Sequence, residues 1–285
     1  MFKNILVPVS SEYYPKQVIQ RCIYFSNKFK SKINLVYIIE EKTFNLVDKE
    51  IDSFRTHFEI EEMKKDFQNK QRQTAKEIIL KDAEQLFKEK KVNFSTKIIK
   101  GEFSEVIKRE IDFYTYDLIL MGFEKECSLN YRLFEEVTLP IWIEARSDKN
   151  IILAVCSNLS PNVKAPEIGN NLAKSLNLEF QIIYVIDKED LVQVDEDLQR
   201  SDKKTEDYIA INAQKFIEEN KKKGIKIELV KGSLEKEVIK AAEKFDPGLV
   251  IIGREQKKKG LLGLPVKNLK RKLAEKCDYS LLFIN

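Results

Sequence analysis

The sequence predicts an α/β fold of two tandem doubly wound domains, each built on a parallel five-stranded sheet. Three observations predict it. The 285-residue chain repeats itself: Lys3-Asn4-Ile5-Leu6-Val7-Pro8-Val9-Ser10-Ser11 matches Lys149-Asn150-Ile151-Ile152-Leu153-Ala154-Val155-Cys156-Ser157 without a gap, and Pro15 and Pro161 follow at the same distance. The candidate strands are short continuous apolar runs, which suit parallel strands covered on both faces. Between them apolar residues recur at helical spacing, and strands alternating with helices at these lengths predict a doubly wound sheet. The boundary falls near Ser147-Asp148, giving domains 1–147 and 148–285.

In order, the first half opens with a strand at 5–9 and a helix whose apolar stripe is Val18, Cys22, Phe25 and Phe29. Leu35-Val36-Tyr37-Ile38-Ile39-Glu40 forms the second strand and pairs in the repeat with Ile182-Ile183-Tyr184-Val185-Ile186-Asp187. The first half is then longer than the second. Val47, Ile51, Phe54 and Phe58 stand at helical spacing, which predicts an extra helix packed on its own domain, with docking of a partner as the other reading. A charged run at 59–76 leads into a long helix with the stripe Ala75, Ile79, Ala83 and Leu86. Lys100-Gly101 and Lys231-Gly232 precede the third helix of each half. The fourth strands are Leu118-Ile119-Leu120-Met121-Gly122 and Leu249-Val250-Ile251-Ile252-Gly253, and a fifth strand at 140–144 closes the first half. Ligands of such folds bind at the carboxyl ends of the strands where the winding reverses. Site candidates therefore sit just after strands: Ser10 and Gly122 in the first half, Cys156, Val185 and Gly253 in the second.

Composition narrows the function classes. Fifty Lys and Arg against 46 Asp and Glu leave a net charge of +4, which speaks for solubility and against nucleic acid as a partner. No apolar run approaches the ~18 residues of a membrane span. Met1-Phe2-Lys3-Asn4 leads into a strand rather than a secretory leader, so the expected compartment is the cytoplasm. Cys22, Cys127, Cys156 and Cys277 stand singly, which suggests neither zinc nor a disulfide framework. His57 is the only histidine, which argues against histidine metal clusters and Ser-His or Cys-His nucleophiles.

One stretch has the makings of an anion site. After Gly253 comes a basic loop with Lys258, Gly260, Gly263 and Lys267 that runs into a helix; glycines let backbone approach a phosphate, and helix N–H groups face it. Residues 254–278 carry nine basic side chains against three acidic ones. The bland alternative is a solvated basic helix face. The first half has Glu124, Glu126, Glu135 and Glu136 after Gly122 instead, carboxylates that would repel phosphate.

With both halves in view, the chain resembles a tandem universal stress protein over nearly its whole length. The resemblance rests on the Lys-Asn-Ile-Leu-Val opening strand, Tyr184-Val185-Ile186-Asp187, the Lys-Gly before the third helix and the Asp117-Leu118-Ile119-Leu120-Met121-Gly122 strand. It implies a fold like that of the adenine nucleotide alpha hydrolases, with the two domains packed through their last strands as a pseudo-dimer. Nucleotide-binding members have an Asp closing the first strand, a Val after the second, and a G-x2-G-x9-G-[ST] loop after the fourth. In register, the Asp falls on Cys156, the Val on Val185, and the loop on Gly253, Gln256, Val266 and Lys267, of which only Gly253 matches. In the first half those positions are Ser10 and Ile38, with no glycine after Gly122. The resemblance thus implies an ATP motif lost in the first domain and altered in the second.

These readings converge on a stress-response binding or regulatory protein with no defined catalytic activity and no certain cofactor. The first rival is an adenine-nucleotide switch or slow ATPase, with ATP or a related nucleotide held by Cys156, Val185, Gly253, Lys258, Gly260, Gly263 and Lys267. The second is an interaction scaffold using the helix around Phe54, with a protein partner or a homodimer as the outcome. No Walker motif occurs, and a reactive Cys156 thiol is the lesser reading beside a packed one.

Overall fold

The computed structural model describes residues 1–10, 16–40, 80–122, 137–145, 149–197, 199–253 and 279–284. The chain packs as two compact units, Met1–Leu139 and Pro140–Asn285.

The first unit holds β1 (Asn4–Val9), β2 (Lys32–Glu40), β3 (Asn93–Gly101) and β4 (Leu118–Gly122), all parallel, in the order β3-β2-β1-β4. Its described helices are α1 (Lys16–Phe29), α2 (Lys81–Glu89) and α3 (Phe103–Phe113). On α1 the expected stripe is buried at Val18, Cys22 and Phe25, with Ile19 and Ser26 joining it. The stripe of α2 differs from expectation. Ala83 is buried, but Leu86 is 42% exposed and Phe87 takes the core position. Leu80, Ala83 and Phe87 follow the 3,4 spacing of one face, and Leu86 lies about 100° off it. Ala75, Ile79 and the predicted helix of Val47, Ile51, Phe54 and Phe58 lie outside the described residues.

The second unit has β6 (Ile151–Ser157), β7 (Glu179–Asp187), β8 (Lys226–Gly232), β9 (Leu249–Gly253) and β10 (Ser280–Ile284), with α4 (Lys164–Leu176), α5 (Glu206–Lys221) and α6 (Leu234–Phe245). These five strands run parallel. The sheet has a sixth member, β5 (Ile141–Glu144), antiparallel to β10, in the order β5-β10-β9-β6-β7-β8. The sequence assigns β5 to the first repeat; by packing it belongs to the second unit. Its residues are buried on both faces, and Trp142 Nε1 donates to the buried Glu144 carboxylate at 2.7 Å. Ser280 Oγ fastens the end of the pair, accepting from Ala145 N and donating to Ala145 O, both at 3.1 Å.

Caps set the lengths of the helices. Thr205 accepts from Tyr208 N at the start of α5, and Glu102 accepts from Glu105 N at the start of α3. Asn177 and Asp246 end α4 and α6 in the left-handed conformation, which their short polar side chains tolerate. Gly248 is needed for close approach: a Cβ there would stand 2.5 Å from the Lys149 carbonyl oxygen.

Candidate functional site

In the second unit the chain winds from β6 outward through β7 to β8, then returns to the other side of β6 at β9. The carboxyl ends of β6, β7 and β9 thus border the point where the winding reverses, where doubly wound sheets hold ligands. Cys156, Val185 and Gly253 all lie there, at the ends of three neighbouring strands. Lys258, Gly260, Gly263 and Lys267 lie outside the described residues.

The end of β6 turns into a tight loop. Ser157 N donates to Asn162 Oδ1 at 3.0 Å, Asn162 Nδ2 returns a bond to Ser157 O at 2.9 Å, and Ser157 Oγ accepts from Leu159 N at 3.1 Å. Ser157, Asn158, Leu159 and Ser160 are all buried. This loop folds over the end of β9, where a Cβ on Gly253 would meet Pro161 O and Ser160 Cβ at 3.4 Å.

Asn158 joins the loop to the end of β7. Its Oδ1 accepts from Asp187 N at 2.7 Å, and its Nδ2 donates to Asp190 O at 3.0 Å and Val192 O at 2.9 Å. Its own carbonyl accepts from Val194 N at 2.9 Å. Every hydrogen-bonding group of this buried amide is used, as burial of polar atoms requires. Asp187 is the second hub. One carboxylate oxygen accepts from Glu189 N at 2.8 Å and Asp190 N at 3.0 Å; the other accepts from Leu234 N at 2.8 Å, at the first residue of α6. The positive end of that helix is satisfied from within the chain.

These hubs hold residues 188–197 and 199–205, which form a small hairpin between β7 and α5. Val194 bridges to Arg200 in antiparallel fashion, Asp195 Oδ1 caps the turn by accepting from Asp197 N and Gln199 N, and Lys204 N closes onto Leu191 O at 2.7 Å. Arg200 Nη2 pairs with Asp190 Oδ2 at 2.7 Å, while Val192 and Val194 are buried.

Beneath the hairpin, Cys156 and Tyr184 are register partners, both at most 1% exposed. The Tyr184 ring packs on Phe216 of α5 at 5.2 Å between centroids. Burial pushes the Cys156 thiol well above its usual range. Burial, and next the neighbouring Cys156, raise the Tyr184 phenol, while hydrogen bonds to the Gln193 and Asn162 amides pull the other way. A fully covered, protonated thiol is a packing group, not a nucleophile.

Sequence reasoning singled out the strand ends but missed Asn158 and the cap role of Asp187. The hairpin did leave a trace: Val192-Gln193-Val194 alternates, and Asp195-Glu196-Asp197 is a turn cluster. In the first unit the corresponding Ser10, Ile38 and Gly122 are buried. Among the described residues no group of three or more His, Cys, Asp or Glu side chains is placed to hold a metal ion, and no helix is long and apolar enough to cross a membrane.

Among solved structures, the chain is similar to a universal stress protein from Archaeoglobus fulgidus DSM 4304, at 13% identity and a TM-score of 0.60, covering 99% of this chain and 96% of that one. A putative universal stress protein from Pseudomonas aeruginosa UCBPP-PA14 matches at 12% identity and a TM-score of 0.65, covering 99% and 93%. At these identities the likeness speaks for the fold alone. A comparison with curated proteins returns no match. The model of the universal stress protein family matches twice, over residues 1–140 and 149–285. Two copies of one α/β repeat, both recognised by the same family model, make this chain a tandem member of the universal stress protein family.

Proposed function

We propose that this tandem universal stress protein is a stress-response binding and regulatory protein without a catalytic activity of its own. Its first repeat has lost the ATP motif, and its second retains an altered one. The observation that carries this reading is the filled crevice of the second repeat. Asn158 spends all its bonds tying the ends of β6 and β7 to the hairpin, and the same loop lies over Gly253. A nucleoside at these strand ends would have to displace buried, fully bonded groups, each costing about 1–3 kcal/mol when left unsatisfied.

The test is a melting-temperature screen with ATP, ADP and AMP, together with mass spectrometry of small molecules released on heating. A ligand present at 100 times its dissociation constant stabilises by about 2.7 kcal/mol, a shift of several degrees. The expected result is no such shift and no co-purified nucleotide. The second reading, an adenine-nucleotide switch in the second repeat, draws on the convergence of Cys156, Val185 and Gly253 at one end of the sheet. A shift of that size with ATP, abolished by Lys258→Glu or Lys267→Glu, would replace the first reading with the second.

A further inference from the structure

We propose that the 188–205 hairpin is an autoinhibitory strap: it closes the crevice of the second repeat, and its release opens that crevice to a nucleotide. The inference rests on the reading above, in which the crevice at the ends of β6, β7 and β9 is closed in the folded chain.

The strap's attachments differ from the bonds within it. Internally it is a hairpin closed by the Val194–Arg200 bridge, by Ser201 N to Gln193 O at 2.9 Å and by the Arg200–Asp190 ion pair. It can therefore keep its shape while it moves. Between its ends, the strap's hydrogen bonds to the loop after β6 run through Asn158, which holds Asp190 O, Val192 O and Val194 N, and the buried Val192 and Val194 add apolar contact. Both of its ends are tied at fixed points. Asp187 holds the amides of Glu189 and Asp190 at one end, and Thr205 caps α5 at the other. A segment pinned at both ends and latched in the middle through one residue has the construction of a hinged cover.

What it covers is the expected nucleoside position. Tyr184 is the register partner of Cys156 at this end of the sheet, and the pair is completely buried. The covering is imperfect at one atom: Gln193 Oε1 is buried and accepts no hydrogen bond among the described residues. An unsatisfied buried acceptor weakens the closed state relative to an open one in which the amide is hydrated. The latch is thus strong enough to close the site and flawed enough to release it.

The experiment compares three full-length proteins in a titration with a fluorescent ATP analogue: wild type, a variant with 189–204 replaced by a short Gly-Ser linker, and the double variant Asn158→Ala/Arg200→Ala. Circular dichroism establishes that each variant is folded. At least tenfold tighter binding by either folded variant is the expected result. Binding by neither variant overturns the strap and leaves the proposed function standing. Wild-type binding as tight as that of the variants overturns both. Hydrogen exchange on the wild type gives a check that needs no variant: the Val194, Ser201 and Lys204 amides should show protection at least 100-fold below that of Ile182 and Ile183 in β7. Equal protection would mean the strap opens only when the sheet unfolds, and the proposal would fail.

Discussion

Cys156 and Tyr184 show how burial governs a residue's chemistry. Both acids keep their protons in the folded chain well above the pH at which the unfolded chain releases them, with reference values of 9.0 and 10.0. The sign follows from proton counting. Above about pH 9 the native state binds more protons than the unfolded state, so stability is present in full below that pH and is lost as pH rises toward the native values. Each group contributes a slope of up to about 1.4 kcal/mol per pH unit. Trp142 is the chain's single tryptophan and is buried in β5, so its fluorescence reports the unfolding of the second unit. Urea unfolding followed at Trp142 should show a marked loss of stability between pH 9 and 11, and Tyr184→Phe should roughly halve the slope. Equal slopes in the two proteins would place the titration elsewhere. Residue chemistry of this kind was only partly legible in the sequence. Cys156 stands out at a strand end, but its complete burial, which makes the thiol a packing group, is set by tertiary packing that the local sequence does not show.

Elements were read more securely than side chains. The strands at 5–9, 118–122, 140–144, 151–155 and 249–253 are found within one or two residues, because a strand buried on both faces leaves a run of apolar residues that few other structures tolerate. The stripe on α2 differs by one residue from the sequence expectation, since Leu86 and Phe87 are both apolar and only tertiary packing chooses between them. The hairpin is harder to read because a short β-ribbon between a strand and a helix departs from the alternation of strands and helices in the rest of the chain. Where two elements come closest, substitution should be costly. At Gly248 an added methyl group would stand 2.5 Å from the Lys149 carbonyl oxygen, a backbone atom that cannot rotate away. Gly248→Ala should destabilise the second unit by about 2 kcal/mol, in the range of overpacked sites. Chemical denaturation followed at Trp142 measures this, and an unchanged midpoint would show that β6 and β9 can separate freely.

At the level of the whole molecule, the repeat boundary and the packing boundary do not coincide. The family model ends its first match at residue 140 and begins the second at 149, while β5 at Ile141–Glu144 packs with the second unit. A fragment of residues 149–285 would leave β10, whose five residues Ser280–Ile284 are all buried, as an uncovered sheet edge. Such an edge templates pairing with another chain. Sedimentation should find the 149–285 fragment dimeric or aggregated; a monomer would show that β5 is dispensable. The same strand order governs the birth of the protein. β10 is the last of these strands to be synthesised, yet it lies between β5 and β9 rather than at an edge. Until those residues leave the ribosome, β5 and β9 have no partner on their facing sides, and two apolar strand edges stay open to chaperones or to neighbouring nascent chains.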